Sequence, residues 1–586
     1  METRAAGRFP QKRIGNGELG LAGVSDIMDS KGVNKWIVGN VLVMVAILLP
    51  AAAWAAPAVN VMQGAPEVHP YDYAEVVLQV QGCAVKNPFR ETSLKGSFQI
   101  EGGEAVTVEG FCDAPDGSVQ KIRFMPQKVG TYSYNLTYQE GSFAQTFSGK
   151  FLTTEGKARG LLRVDPAHPA HFIWEGTGEH YFWNGTTAYW LLGWEDDAVI
   201  TAALDRLAAL KVNRVRVAIN GRTRSGERWH EPNVVETDKF KFKLNPWVSA
   251  APDNPEEPNI DTSRYALPFW QKCERMLKHA RKLDIVVDVI FYLDGEDKGV
   301  DPFGKEKAAG DEEKHYYSYA VNRLAAFSNV VWDISNEYQL FRDEAWVNVM
   351  GDHLRAADPY DHLTSVHGHG EFPFRVSGWA DYCLYQSWDH HGSYDFMLQQ
   401  RQAQLATGKL KPQINEEYGY EDHYPQGGGD NLTAPARSAD NRRRQAWSIC
   451  MAGGYQTTGE RADQGTGKGP DTGGGWLNGR GDDSMVMLKG YAKMVEFFTS
   501  FDWWKTQPAG DIVKAGTAWC LAADKLYALY LPKGGTIKIG LPDGKFTAEL
   551  YDCQTGERKP LGEIPGGEWT SPSQPEEKDW AILIRG

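Results

Sequence analysis

Residues Val330 to Glu337 read Val-Val-Trp-Asp-Ile-Ser-Asn-Glu. An apolar, β-branched start running into a polar Ser-Asn-Glu end is the pattern of a buried strand whose last residues surface at a working mouth. Lys411 to Gly419 (Lys-Pro-Gln-Ile-Asn-Glu-Glu-Tyr-Gly) repeats the pattern and also ends in carboxylates. Around these two stretches the chain alternates strand and helix. Strands are predicted at Tyr181–Trp183, Val212–Ile219, Ile285–Tyr292, Val330–Ile334, Leu363–Val366, Tyr382–Gln386, Gln413–Asn415 and Gly453–Thr457. Between them, Ala198–Leu210 places Ile200, Leu204 and Leu207 on one helical face. Pro268–Leu283 opens with proline in its first turn and carries Phe269, Cys273, Leu277 and Ala280. Eight such pairs over residues 160–502 predict an α/β fold, a (β/α)8 TIM barrel with insertions.

The insertions have a direction. Helix-to-strand connections are short, whereas Asn220–Leu267, Asp294–His315 and Tyr418–Ser438 follow strands and are long. In a barrel those loops gather at the strands' C-terminal ends, the face where such enzymes do their chemistry. They hold Trp229, His230, Trp247 and Tyr424. Gly427–Gly429 and Gly473–Gly475 read as plain loop, because neither leads from a strand into a helix with a lysine.

Outside the barrel the grammar changes. Lys31 and Lys35, the apolar run Val41–Leu49 and Ala53-Trp54-Ala55 before Ala56 make residues 1–55 a cleaved leader, so the mature protein is expected to be secreted or periplasmic, with no membrane attachment after cleavage. Met28 is the more ordinary start for such a signal. Residues 57–155 alternate short apolar runs with turns such as Asp116-Gly117 and Glu140-Gly141, and 505–586 do the same around Pro542-Asp543-Gly544. Both read as β-sandwich domains flanking the barrel.

Net charge is −14, which disfavours nucleic acid and anionic membranes as partners. The 20 Trp, 25 Tyr and 24 Phe suit sugar-binding clefts and well-packed sandwiches equally. Seven cysteines show no CxxC spacing, so no zinc or redox motif is expected. Cys83 with Cys112, or Cys520 with Cys553, could pair; mostly buried free thiols is the plainer reading.

Asn-Glu occurs twice, at 336–337 and 415–416, so position rather than the dipeptide carries weight. Glu337 ends the fourth strand and Glu417 the seventh. Strand alternation puts Asp333, Ser335 and Glu337 on one face, and likewise Gln413, Asn415 and Glu417, leaving Ile414 and Glu416 toward the helices. Two carboxylates across one mouth suit glycoside hydrolysis: one donates a proton to the leaving oxygen while the other, ionised, attacks the anomeric carbon.

Ser335-Asn336-Glu337 and Glu417-Tyr418-Gly419 resemble the closing motifs of strands four and seven in clan A glycoside hydrolases, retaining (β/α)8 enzymes that include cellulases and mannanases. The resemblance implies Glu337 as acid/base, Asn336 on the 2-hydroxyl, Glu417 as nucleophile, and Arg216 supporting the nucleophile. Within the clan, His180–Leu192 and Glu417-Tyr418-Gly419-Tyr420-Glu421 look like the apiosidase-like family, and Asn87-Pro88-Phe89 with Arg123–Tyr132 resembles the sandwich found ahead of bacterial glycosidase barrels. An Asp-bearing fourth-strand motif is expected in that family, whereas this chain has Asn336-Glu337, so apiose is not carried over as the released sugar. Asn184, Trp190, His367, Tyr385, Gln386, Trp388 and Glu460 complete the expected substrate contacts. His367-x-His369 also has the spacing of a metal pair, but barrel metallohydrolases usually place that pair on the first strand, so no metal or cofactor is expected. A carbohydrate substrate, with a non-catalytic carbohydrate-binding barrel as the alternative, is the expectation; sugar, linkage and oligomeric state are not encoded in any motif.

Overall fold

The computed structural model describes residues 56–223, 236–297, 299–388, 393–422, 437–461 and 475–586. The leader at 1–55 and Trp229, His230, Tyr424, Gly427–Gly429, Gly473 and Gly474 of the mouth loops lie outside the described residues.

Eight parallel strands build the centre: β1 (Asn184–Thr187), β2 (Arg214–Ala218), β3 (Val286–Ile290), β4 (Val330–Asp333), β5 (Thr364–Ser365), β6 (Cys383–Gln386), β7 (Gln413–Glu417) and β8 (Tyr455–Thr458). They are hydrogen-bonded in the order β5-β4-β3-β2-β1-β8-β7-β6. The two ends of that order meet at a seam. Across it run bonds from the Asp381 N–H to the Thr364 carbonyl (2.9 Å), from Ser365 Oγ to the Tyr382 carbonyl (2.8 Å) and from the Gly370 N–H to the Gln386 carbonyl (3.1 Å). The fold is thus the expected α/β barrel, accompanied by antiparallel sheets on both sides in sequence.

Tyr181–Trp183 does not supply the barrel's first strand. His180–Tyr181 pairs antiparallel with Phe172–Trp174, which pairs with Leu162–Val164, and the barrel strand starts only at Asn184. The apolar signal at 181–183 reports aromatic packing, with Trp183 stacked on Phe172 at 5.1 Å. β1 itself is Asn-Gly-Thr-Thr, polar because Asn184 Oδ1 accepts a bond from Gln456 Nε2 of β8 at 2.8 Å.

Helices cover the strands: α1 (Asp197–Ala209), α2 (Leu267–Lys282), α3 (Asp311–Leu324), α4 (Glu344–Ala357), α5 (Ser393–Ala406), α6 (Ala439–Met451) and α7 (Met487–Phe498). Their starts are written in the sequence. Asp196, Asp343 and Ser438 each accept a bond from a first-turn N–H, satisfying a donor that has no helical partner. α2 buries Trp270, Cys273, Met276, Leu277 and Ala280, a repeat of three and four residues that gives one apolar stripe.

Ahead of the barrel, a four-stranded sheet (Ala58–Gln63, Ala74–Gln81, Val119–Phe124, Phe111–Cys112) faces a five-stranded one (Glu67–Val68, Phe143–Thr153, Gly130–Glu140, Thr92–Ile100, Ala105–Glu109). Phe98 of one sheet stacks on Phe124 of the other at 4.5 Å. Buried ion pairs join this region to the barrel: Arg123 forks onto Glu274 of α2 (2.9 and 3.0 Å), and Arg323 of α3 bonds Asp113 at 2.6 Å. After the barrel comes one seven-stranded antiparallel sheet rather than two separate ones. The long strand Lys538–Asp552 shifts register between Leu541 and Lys545 and serves both parts of that sheet, whose core includes Leu529, Ile539, Phe546 and Ile582. All seven cysteines are free thiols, so neither disulfide left open by the sequence is formed. Among the described residues no helix is long and apolar enough to cross a membrane.

Candidate active site

The C-terminal ends of the barrel strands surround a cavity of about 190 Å3 lined by Tyr189, Leu293, Asp294, Asn336, Glu337, Gln386, Trp388, Glu417, Tyr420 and Trp476. Glu337 and Glu417 therefore open onto one volume. A larger groove of about 660 Å3 runs between the N-terminal sheets and α3 and α4, but it holds no pair of converging carboxylates.

Strand β4 ends at Asp333, and alternation holds that far: Asp333 faces Arg216, while the Trp332 indole donates to Asp358 behind α4. Beyond it, Glu337 adopts a left-handed backbone (φ 44°, ψ 49°), costly for a residue with a side chain and often found where function fixes geometry. That turn lets Asn336 and Glu337 both reach the cavity. On β7 the alternation runs opposite to the sequence expectation. Gln413 bonds the Met397 carbonyl of α5 at 3.1 Å, so it faces the helices, whereas Glu416 points inward to Arg214 (2.5 Å) and Arg216 (2.8 Å). A register shift against β6 then sends Glu417 to the mouth: Tyr385 pairs with Asn415 but Gln386 with Glu417. The bulge gives two successive glutamates different destinations. Gly419, at φ 95°, then turns the chain so that Tyr420 lines the cavity; a Cβ there would lie 2.6 Å from Arg437 Nε.

Glu337 Oε1 accepts two bonds of 2.8 Å, from His369 Nε2 and Gln386 Nε2. Glu417 Oε2 lies 3.3 Å from the Tyr189 hydroxyl and is also bonded by Tyr420. Arg216 Nη1 donates to the same Tyr189 oxygen at 2.8 Å. Asn336 Oδ1 accepts from Arg216 Nη2 (3.0 Å) and His367 Nδ1 (2.6 Å), which fixes the amide with Nδ2 as the group it can offer the cavity. Tyr420 and Trp476 stack at 4.3 Å to form a flat apolar wall.

The two carboxylates titrate apart. Burial and the charge of Glu337 push Glu417 up to about 8, against the pull of Arg216 and the tyrosine hydroxyls. For Glu337 the upward push of burial is outweighed by the bonds from His369 and Gln386 and by the charges of His369 and Arg216, so it stays below the usual carboxylate value. His369 is raised in turn by its bond to Glu337. Repulsion between the two buried carboxylates favours their holding one proton between them near neutral pH. Beneath it, burial raises Asp333 to about 6 despite Arg216. Burial and proximity to Arg216 hold His367 far below its usual value, so its imidazole is neutral.

Of the residues singled out in the sequence, Asn336, Glu337, Gln386, Trp388 and Glu417 line the cavity, and Arg216 and His367 bond to those that do. The other four lie elsewhere. Asn184 is spent on Gln456 and on the Lys211 carbonyl (2.9 Å). Trp190 is fully buried, edge-on to Phe242 at 5.4 Å. Tyr385 packs on Phe396 of α5, the face opposite Gln386. Glu460 forks with Arg206 of α1 at 2.7 and 2.9 Å. Sequence reasoning passed over Tyr189, Leu293, Asp294, Tyr420 and Trp476 as site residues, and of these only Tyr189 and Tyr420 stood inside quoted motifs. The spacing of His367 and His369 serves Asn336 and Glu337 respectively.

Residues 168–459 match the model of the apiosidase-like catalytic domain, and residues 67–139 match a domain of unknown function, DUF5060. No curated protein matches the chain. Among solved structures, a protein from Bacteroides vulgatus ATCC 8482 described as a glycoside hydrolase superposes with a TM-score of 0.70 at 19% identity, covering 89% of this chain and 99% of that one. A glycoside hydrolase family 5 protein from the same organism gives 0.57 at 19% identity, covering 73% and 93%. At such identities the likeness is one of fold. Over residues 168–459 the barrel of this chain is similar to the apiosidase-like catalytic domain.

Proposed function

We propose that this chain is an exported retaining glycoside hydrolase acting on a plant or microbial poly- or oligosaccharide. The observation that carries the reading is the pair Glu337 and Glu417, delivered from β4 and β7 to one small cavity, where burial and the charge of Glu337 raise Glu417. The family likeness of the barrel and the described activity of its fold neighbours support the same chemistry.

In the first step the ionised Glu417 oxygen bonds to the anomeric carbon as the bond to the leaving oxygen breaks, and that oxygen takes the proton of Glu337. In the second, Glu337 draws a proton from water, the water oxygen bonds to the anomeric carbon and the ester to Glu417 breaks. Asn336 Nδ2 is placed to donate to a sugar hydroxyl, and Trp476 with Tyr420 to cover an apolar ring face. Attack by Glu417 requires the proton of the pair to stand on Glu337 once substrate is bound.

A panel of cell-wall glycans and aryl glycosides tests the proposal. Hydrolysis whose first product, read by proton NMR before mutarotation, keeps the substrate's anomeric configuration is expected. Binding without turnover across the panel would point instead to a carbohydrate-binding barrel, and an inverted product would remove the covalent step. The pH dependence follows from the shared proton. Above about 8 both carboxylates are ionised and no acid is left, so kcat/KM falls; it also falls in acid, where Glu337 becomes protonated below the usual carboxylate range. A profile with no alkaline limb between pH 7 and 9 would contradict it.

A further inference from the structure

At the opposite end of the barrel from the cavity lies a group of side chains that the proposed reaction does not use. Asp165 follows the strand Leu162–Val164, His168 stands in the turn after it, and His180 opens the strand that leads into β1. The three-stranded sheet brings them together, with the Asp165 N–H bonded to the His171 carbonyl at 2.9 Å and Ile173 paired with His180. His168 Nδ1 and His180 Nε2 both lie 2.8 Å from the same oxygen, Asp165 Oδ2. All three donor atoms lie within 4.8 Å of one another. The Asp165 side chain is 4% exposed, His180 15% and His168 34%, which leaves one open side for entry.

We propose that Asp165, His168 and His180 bind one transition-metal dication of the zinc class, with water completing the shell. Two imidazoles and a carboxylate are the donors such ions prefer, with bonds of roughly 2.0–2.2 Å. A tetrahedral site at those lengths separates neighbouring donors by a little over 3 Å, so each imidazole needs to withdraw from Oδ2 by only about half an ångström. The rings are already oriented. His180 is stacked on Trp504 at 3.9 Å and 6°, and Asp165 Oδ1 is held by the Ala167 N–H at 2.8 Å. Because Trp504 belongs to the connection out of the barrel, the ion would clip the entrance of β1 to the chain's exit toward the C-terminal sheet. Its place at the N-terminal end of the strands makes the role structural, not catalytic.

The test uses the whole mature chain, stripped with EDTA and titrated with ZnCl2 by calorimetry, with Co2+ as a spectroscopic probe. One equivalent of Zn2+ should bind and raise Tm, and Co2+ should give the d–d absorption of a low-coordinate nitrogen–oxygen site. His168→Ala, at the more exposed position, and Asp165→Asn should each weaken binding at least tenfold and abolish the Co2+ band, without changing glycoside turnover. Absence of binding would reduce the triad to a hydrogen-bonded clip and overturn the proposal. Binding that persists undiminished in both variants would place the ion elsewhere and overturn it equally.

Discussion

Glu417→Gln is expected to lower turnover by on the order of 10⁴-fold or more, the scale that follows loss of a covalent nucleophile. Glu337→Gln should cost about 10²–10⁴-fold, the range of a general acid. Glutamine keeps the shape of each side chain, and at Glu417 it replaces a group that burial already pushes toward neutrality, so both variants should fold. Leaving-group dependence separates the two roles. An aryl glycoside whose leaving phenolate needs no proton should restore the first step in Glu337→Gln and not in Glu417→Gln. If the rescue appears in Glu417→Gln instead, the roles are exchanged; if neither variant loses activity, the site is elsewhere.

The second large effect concerns the floor of the site. Arg216 is completely buried and holds Glu416 at 2.8 Å, Asp333 at 3.2 Å, Asn336 at 3.0 Å and the Tyr189 hydroxyl at 2.8 Å. Arg216→Met removes a charge that faces several buried acids and leaves them with Arg214. Breaking a buried pair from one side typically costs about 3–5 kcal/mol, and that loss is expected in urea unfolding. Arg216→Lys should recover only part of it, because one ammonium cannot reach four partners as a guanidinium fork does. A loss below about 1 kcal/mol would show that the acids carry protons and need no counter-charge. Activity should fall in the same variants, since Asn336 and Tyr189 lose the donor that orients them.

The barrel was readable because its signals are local: apolar runs of strand length, capped amphipathic helices, and long connections only after strands. Glu337, Glu417 and Asn336 were reachable for the same reason, since they terminate such runs. The register near β7 was not. Side-chain alternation assumes an unbroken strand, and the shift opposite Tyr385 and Gln386 is a property of two strands together. Glu417 reaches the cavity although the parity used to select it was inverted. The first strand was misplaced because packing aromatics at 181–183 outweigh the polar Asn-Gly-Thr-Thr that enters the barrel. Tyr189 comes from a turn and Trp476 from the four-residue helix Gly475–Asn478, both too short for any periodicity to mark a side chain that returns to the centre, and Trp190 was the more conspicuous neighbour.

The junction between β5 and β6 has a consequence for how the molecule would fail. It is the thinnest line of backbone bonding around the cylinder, and both donors to Glu337 flank it: His369 just past β5 and Gln386 at the tip of β6. Amide protons there should exchange with solvent by small local openings well below the free energy of global unfolding. Each opening would release the restraint on one acid while the remaining staves stay shut. Under rising temperature or mild denaturant, catalysis should therefore fade first, in a protein whose spectroscopic signature still reads as folded.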